Sequence, residues 1–73
     1  MASRMNQDNL TERELHVIRR VASGKSNKEI ADELDISEGT IKVHVSHILR
    51  KLGVTGRTEA IAVAVKRGIV HME

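Results

Sequence analysis

Residues 26–53 read SNKEIADELDISEGTIKVHVSHILRKLG, a stretch that contains two helix starts separated by a short turn. Ser26 followed by Glu29 fits a capping box, and Ser37 fits a second N-cap. Apolar residues follow each cap at helical spacing. They are Ile30, Ala31 and Leu34 in the first helix, and Ile41, Val45, Ile48 and Leu52 in the second. A short helix that ends near Asp35, a turn and a longer helix over 38–52 together predict a helix-turn-helix.

One further helix is predicted on each side of this motif. Thr11 and Glu14 fit another capping box, and Gly24 ends the helix that they begin. The buried stripe expected there is Leu15, Ile18, Val21 and Ala22. The last helix is expected over residues 57–67, with Gly68 as its stop. The expected fold class is therefore all-α, a four-helix, bundle-like domain that contains a helix-turn-helix.

The composition of the 73 residues restricts the function. There is no Cys, so a disulfide framework and a thiolate zinc site are excluded, and no aromatic residue, which disfavours stacking on single-stranded nucleic acid. So short a chain has a modest core and little room for a catalytic pocket. No nucleophile–base pair or carboxylate pair is recognisable, so we expect no enzyme activity, no cofactor and no small-molecule ligand.

The N-terminal residues MASRMNQDN are polar and lack the apolar core of a signal peptide. We expect residues 1–9 to be a disordered tail or a linker, and residues 10–73 to be one domain. No apolar run is long enough to span a bilayer, so we expect a cytoplasmic protein with no membrane partner.

The third helix has a second face that carries no acidic side chain. At about 100° per residue, four residues lie opposite the apolar stripe, and we call them the outer face. The outer face consists of Gly39, Val43, Ser46 and Arg50, flanked by Lys42 on one edge and by Thr40, His44, His47 and Lys51 on the other. The second helix instead carries Glu29, Asp32 and Glu33. Because the net charge of the chain is only +2, this segregation is what indicates a polyanion partner, and it favours double-stranded DNA.

The chemistry of the outer face suits the major groove, which admits one helix. The candidate base-reading residues are Lys42, Val43, Ser46 and Gly39. Lys42 can donate to guanine, Val43 can touch a thymine methyl group, and Ser46 can donate or accept. The candidate phosphate contacts, which position a protein without reading sequence, are Asn27, Lys28, Ser37, Thr40, His47, Arg50 and Lys51.

The fourth helix contains AIAVAV at residues 60–65, which is apolar on every side. One face can pack on the core of so small a domain, and the other needs a second partner. We expect a homodimer, with an ordinary core helix as the alternative. The candidate dimer contacts are Thr58, Glu59, Ala62, Val63 and Lys66. Arg57 can contact DNA, but we expect it to pair with Glu14 or Glu59.

Two side-chain groups have a less specific interpretation. His44 and His47 are three residues apart and can reach one metal ion, but a structural zinc site needs four ligands, so we expect no metal. The acidic face of the second helix is expected to be solvated, with a contact to RNA polymerase as the alternative.

Four motifs in order resemble the LuxR/NarL-type helix-turn-helix family. They are LTERE at 10–14, SNKEIADEL at 26–34, SEGTIKVHVSHILRKLGV at 37–54 and GRTEA at 56–60. The resemblance implies a bacterial transcription regulator, in most members joined to a receiver or ligand-sensing domain. It also implies binding as a dimer to inverted-repeat sites, with the third helix as reader and the fourth as dimerisation helix.

By the same resemblance, Lys42 and Val43 match base-reading positions, and Asn27 and Lys28 match backbone-contact positions. Ser46 and Gly39 depart from the longer polar or basic side chains of many relatives, which predicts weaker base readout. The alternatives are a helical protein-interaction module and region four of a sigma factor, which shares the ERE opening and the SEGT entry. The apolar fourth helix argues against the sigma factor, because sigma domains commonly end soon after the reading helix.

Overall fold

Four α-helices make up the part of the chain that the computed structural model describes, residues 9–71. They are α1 (Glu12–Ala22), α2 (Asn27–Leu34), α3 (Glu38–Leu52) and α4 (Arg57–Lys66). These residues contain no strand, and the all-α prediction is confirmed. None of the four helices is long and apolar enough to cross a membrane. The tail expected at residues 1–9 lies outside the described residues except for Asn9, and it stays a prediction.

Side-chain caps begin the first three helices, as the sequence predicts. Reciprocal bonds between Thr11 and Glu14 begin α1, and the same capping box between Ser26 and Glu29 begins α2. Ser37 Oγ accepts an amide hydrogen in the first turn of α3 at 3.1 Å. These bonds satisfy amides that have no partner inside the helix, and they fix where each helix starts.

The C-terminal ends of the four described helices share one hydrogen-bond pattern. An amide just beyond each helix bonds to the carbonyl five residues earlier, as in a Schellman motif. The amide–carbonyl pairs are Lys25–Arg20, Ile36–Ala31, Val54–Leu49 and Ile69–Ala64, at 2.8–3.1 Å. The residue before each amide has positive φ, and it is glycine at three ends but Asp35 (φ 59°) at the end of α2. The turn of the helix-turn-helix therefore contains a non-glycine residue in a left-handed conformation.

The core is aliphatic and lies where the four helices meet. Its buried apolar members are Leu10, Val17, Ile18, Val21, Ala22, Ile30, Ala31, Ile41, Ile48, Leu52, Ala60, Ala64 and Val70. Ala31 is the small residue expected on the inner side of α2. Leu34 and Val45, which were predicted in the core, are only partly buried and pack against its edge.

The buried stripe of α1 differs from the prediction at two positions. Val17 is fully buried, whereas the expected Leu15 is only partly buried at the edge of the core. The reason is that the inner face of the first turn is occupied by Glu14, which is 3% exposed. Because an apolar pattern does not include a carboxylate, the predicted stripe began at Leu15 and missed the part of the buried face that Glu14 and Val17 occupy.

Candidate nucleic-acid interface

The outer face of α3 is open to solvent. Gly39, Val43, Ser46 and Arg50 are all exposed, and so is Lys42 at its edge. On the opposite side of the same helix, the apolar stripe enters the core. The structure therefore brings the four candidate base-reading residues together on one accessible surface.

Val43 is the most informative residue of this surface. Its side chain is 52% exposed, and among residues 9–71 the only other exposed large apolar side chain is Val65. This side chain is therefore accessible to an apolar group of a partner.

Two hydroxyl groups lie together at the N-terminus of α3. The Oγ atom of Ser37 is 2.8 Å from Oγ1 of Thr40, and it also accepts the Thr40 amide hydrogen at 3.1 Å. Both residues are exposed. The two predicted phosphate contacts are thus held side by side, where the helix dipole and the first amides favour an anion.

The candidates at the N-terminus of α2 are placed differently from each other. Lys28 is exposed, whereas Asn27 is half-buried and its Oδ1 atom accepts a hydrogen bond from Nη1 of Arg57 at 2.8 Å. The second Arg57 nitrogen, Nη2, donates to the backbone oxygen of Lys25 at 2.9 Å. The first residue of α4 is therefore bonded to the entry of α2.

This arrangement corrects the prediction for Arg57, which was expected to pair with Glu14 or Glu59. Both carboxylates accept hydrogen bonds from other donors. Glu59 Oε1 accepts from the amide and the hydroxyl of Thr55, both at 3.1 Å. These bonds hold the pKa of Glu59 below its ordinary value. The planar fork of Arg57 instead fits two neutral oxygens across the domain.

A buried carboxylate organises the other end of α3. Lys51 Nζ donates to Glu14 Oε1 at 2.8 Å and to the backbone oxygen of Asn9 at 2.9 Å, and His47 Nδ1 lies 4.0 Å from Glu14 Oε2. Burial by itself raises the pKa of Glu14. The hydrogen bonds from Lys51 and the Thr11 amide, with the charge of Lys51, more than offset burial and hold this pKa below its ordinary value.

These contacts bear on two of the predicted phosphate contacts. Lys51 has two of its three ammonium hydrogens engaged within the chain, so one is left for a phosphate. His47 is exposed but stands close to the same carboxylate. The sequence predicted Glu14 as part of a helix cap and as a possible partner of Arg57, and it did not predict Lys51 because nothing local indicates a partner 37 residues away.

The acidic face predicted on α2 is largely engaged in contacts within the domain. Glu33 accepts from Arg20 Nε at 2.9 Å and from Lys25 Nζ at 2.7 Å. The hydrogen bonds from Lys25 and then Arg20 hold the pKa of Glu33 below its ordinary value. Glu29 completes the cap on Ser26. Two of its three members are therefore engaged inside the domain, which gives little support to a polymerase contact.

The helix α4 divides its apolar residues between the core and the surface. Ala60 and Ala64 are buried, and Ile61 and Val63 are partly buried against the core. The predicted dimer contacts Thr58, Glu59, Ala62 and Lys66 are exposed. So is Val65, at 40%, which the sequence analysis did not single out although it lies three residues beyond Ala62. We call Ala62 and Val65 the α4 apolar strip.

The paired histidines are not part of a larger ligand set. His44 is half-buried, and His47 is exposed beside Glu14. Within residues 9–71 no group of three or more His, Cys, Asp or Glu side chains is placed to hold a metal ion.

A short helix that packs on a longer helix with an exposed, cationic outer face defines a class of protein, the helix-turn-helix domain of transcription regulators. Comparison with protein families gives the same class. The model described as "Bacterial regulatory proteins, luxR family" matches residues 8–64. The chain belongs to this family, whose members are DNA-binding transcription regulators and not enzymes.

Individual relatives agree with this assignment. The chain is 50% identical over 60 residues to the transcriptional regulatory protein LnrK of Bacillus subtilis (strain 168), covering 82% of this chain and 27% of LnrK. It is 57% identical over 51 residues to the nitrate/nitrite response regulator protein NarP of Escherichia coli (strain K12), covering 70% of this chain and 24% of NarP. The chain thus spans about a quarter of the length of these relatives.

The solved structure of the transcription factor GerE superposes on this chain with a TM-score of 0.82 at 36% identity. The superposition covers 88% of this chain and 96% of that chain. The predicted family and the predicted four-helix fold are both confirmed. Membership of this family favours a DNA-binding domain over region four of a sigma factor and over a protein-interaction module.

Proposed function

We propose that this domain binds double-stranded DNA sequence-specifically, with α3 in the major groove, as the DNA-binding part of a bacterial transcription regulator. The observation that carries the proposal is the exposure of Lys42 and Val43 in the N-terminal half of α3, whose other side forms the core. A helix fixed by its inner face and exposed on its outer face has the form that the major groove admits.

Base reading is proposed for the outer face and its edge. Lys42 reaches acceptors on guanine, Val43 contacts the methyl group of thymine, and Ser46 donates or accepts one turn further along. Gly39 lets the backbone approach the groove floor. Because Ser46 and Gly39 are short, we expect the base preference to rest mainly on Lys42 and Val43.

Phosphate contacts are proposed on both sides of the groove. Ser37 and Thr40 suit one of them, since their hydroxyls lie 2.8 Å apart at the start of α3. Asn27 and Lys28 suit another, at the start of α2. Exposed Arg50 contributes further along α3. We assign smaller contributions to His47 and Lys51, because Glu14 lies beside them.

Dimerisation is proposed through α4. The α4 apolar strip, with Thr58 and Lys66 nearby, leaves apolar area in solvent that a second copy of the chain can cover. A two-fold dimer would bind two half-sites about one helical turn, roughly 34 Å, apart. The recognised sequence is then an inverted repeat.

Selection of binding sites from random duplex DNA tests the proposal. We expect an enriched inverted repeat whose binding weakens steeply with salt, with a log–log slope of about −0.9 for each phosphate neutralised. A matched single-stranded pool is the control, and we expect no enrichment there, because the chain has no aromatic side chain for stacking. Absence of enrichment from the duplex pool would contradict the proposal.

A further inference from the structure

Arg57 connects two elements that have separate roles in the proposed function. It is the first residue of α4, and its guanidinium group donates to Asn27 Oδ1 at 2.8 Å and to the backbone oxygen of Lys25 at 2.9 Å. Lys25 and Asn27 stand on either side of Ser26, the N-cap of α2. One side chain therefore holds both flanks of the cap from another helix, and its bonds are part-buried.

The contact fixes which way the side-chain amide of Asn27 is turned. A guanidinium group has only donors, so the atom that faces it must be the oxygen. The NH₂ group of Asn27 is then on the far side of the amide, away from Arg57. If Arg57 were removed, the amide could rotate and present its oxygen in place of the NH₂ group. An oxygen repels a phosphate, whereas an NH₂ group donates to it.

We infer that Arg57 is a positioning residue for the phosphate contact of Asn27. Through this contact, Arg57 couples the position of α4 to the binding of the DNA backbone by the N-terminus of α2. The inference rests on the proposed function, since it requires that Asn27 meets a phosphate. Arg57 does not touch DNA in this account. It acts through the orientation of the Asn27 amide.

The experiment compares phosphates one at a time. The probe is the duplex recovered by selection from random DNA, prepared as a series in which a single phosphate is replaced by a neutral methylphosphonate. For the wild-type chain we expect one phosphate in each half-site at which replacement weakens binding about three- to tenfold through loss of the Asn27 contact, the range of one hydrogen bond. Asn27→Asp identifies that phosphate, because it retains an acceptor for Arg57 but lacks the NH₂ donors.

The deciding variant is Arg57→Met. At the phosphate identified by Asn27→Asp, we expect methylphosphonate replacement to weaken binding by less than about twofold in this variant. The penalties at other phosphates should persist. Each penalty is the ratio of the affinities of one variant for the normal duplex and for the methylphosphonate duplex. The general weakening that follows from the loss of one positive charge affects both affinities and cancels in the ratio. Arg19→Met, which removes a charge from an exposed position of α1, is the matched control and should keep the full penalty.

The outcomes separate the inference from the function on which it rests. If Arg57→Met keeps the full penalty at that phosphate, Arg57 is only a structural link and the inference is wrong, although DNA binding stands. If Asn27→Asp abolishes the penalty at no phosphate, the inference is also wrong, and this test holds even if Arg57→Met fails to fold. If no duplex is recovered with the wild-type chain, the proposed function itself fails.

Discussion

The ammonium nitrogen of Lys51 lies 2.8 Å from the carboxylate of Glu14, a side chain that is only 4% exposed. The contact joins the last turn of α3 to the first turn of α1. An unpaired buried carboxylate is costly, so the burial of Glu14 depends on its contact with Lys51. The orientation of the proposed reading helix therefore depends on a charge pair behind it, as well as on the aliphatic core.

Glu14→Gln is expected to destabilise the domain by about 1.5–3 kcal/mol at pH 7, the range of a hydrogen bond to a charged group. Glutamine keeps an acceptor oxygen for the Thr11 amide and for Lys51 Nζ but removes the negative charge opposite Lys51. Urea denaturation followed by circular dichroism measures the loss. Glu12→Gln, on the exposed side of the same turn, is the control and should change stability by less than about 0.5 kcal/mol. Equal losses in the two variants would contradict the role of the pair.

Acid is expected to unfold the domain through the same carboxylate. The pKa of Glu14 in the folded chain is below its ordinary value of 4.5. As the pH falls, Glu14 is therefore protonated in the unfolded chain before it is protonated in the folded chain. The stabilisation of the fold by ionised Glu14 is complete above about pH 4.5 and is lost as the pH falls through the folded pKa. Denaturation midpoints measured from pH 7 to pH 2 should stay level and then fall. The fall should be shallower in Glu14→Gln, and parallel curves would show that Glu14 does not contribute.

Asp35 is expected to limit the stability of the turn between α2 and α3. It has φ 59°, a conformation that disfavours residues with a side chain. We expect Asp35→Gly to raise the free energy of unfolding by roughly 0.5–1 kcal/mol and Asp35→Val, with a β-branched side chain, to lower it by about 1–2 kcal/mol. Thermal unfolding of the three proteins gives the order, and a valine variant as stable as the parent would exclude a left-handed residue here.

The α4 apolar strip is expected to control pairing on DNA. Val65→Glu places a charge on an exposed apolar position, so we expect an unchanged melting temperature and about a tenfold, or 1.4 kcal/mol, weaker binding to a duplex with two half-sites. Binding to a duplex with one half-site is the control and should not change. Val63→Glu is a poorer test because Val63 is partly buried against the core. Equal affinities of wild type and Val65→Glu for both duplexes would refute pairing through this strip.

The fold could be predicted from the sequence largely because each of the first three helices is begun by a residue that bonds within its own first turn. Thr11, Ser26 and Ser37 cap amides within their own first turns, so α1, α2 and α3 begin where the sequence predicts. The exposed position of Val43 also followed from helical periodicity. Both depend on residues a few positions apart.

The contacts that were missed join residues far apart in the chain. Arg57 and Asn27 are separated by 30 residues, and Lys51 and Glu14 by 37. Sequence spacing does not show which of several donors reaches a given carboxylate, since that depends on how helices pack. Val17 was missed for a related reason, because a buried carboxylate interrupts the apolar pattern of α1.

Binding of Lys42→Ala to the selected duplex, and to every single-base-pair variant of it, tests most directly whether α3 reads DNA. We expect an affinity loss of about 1–3 kcal/mol and a flattened preference at one base pair in each half-site, because one base contact is removed. Preferences at other positions should persist. A Lys42→Ala protein with the affinity and the base preferences of the wild type would contradict the account.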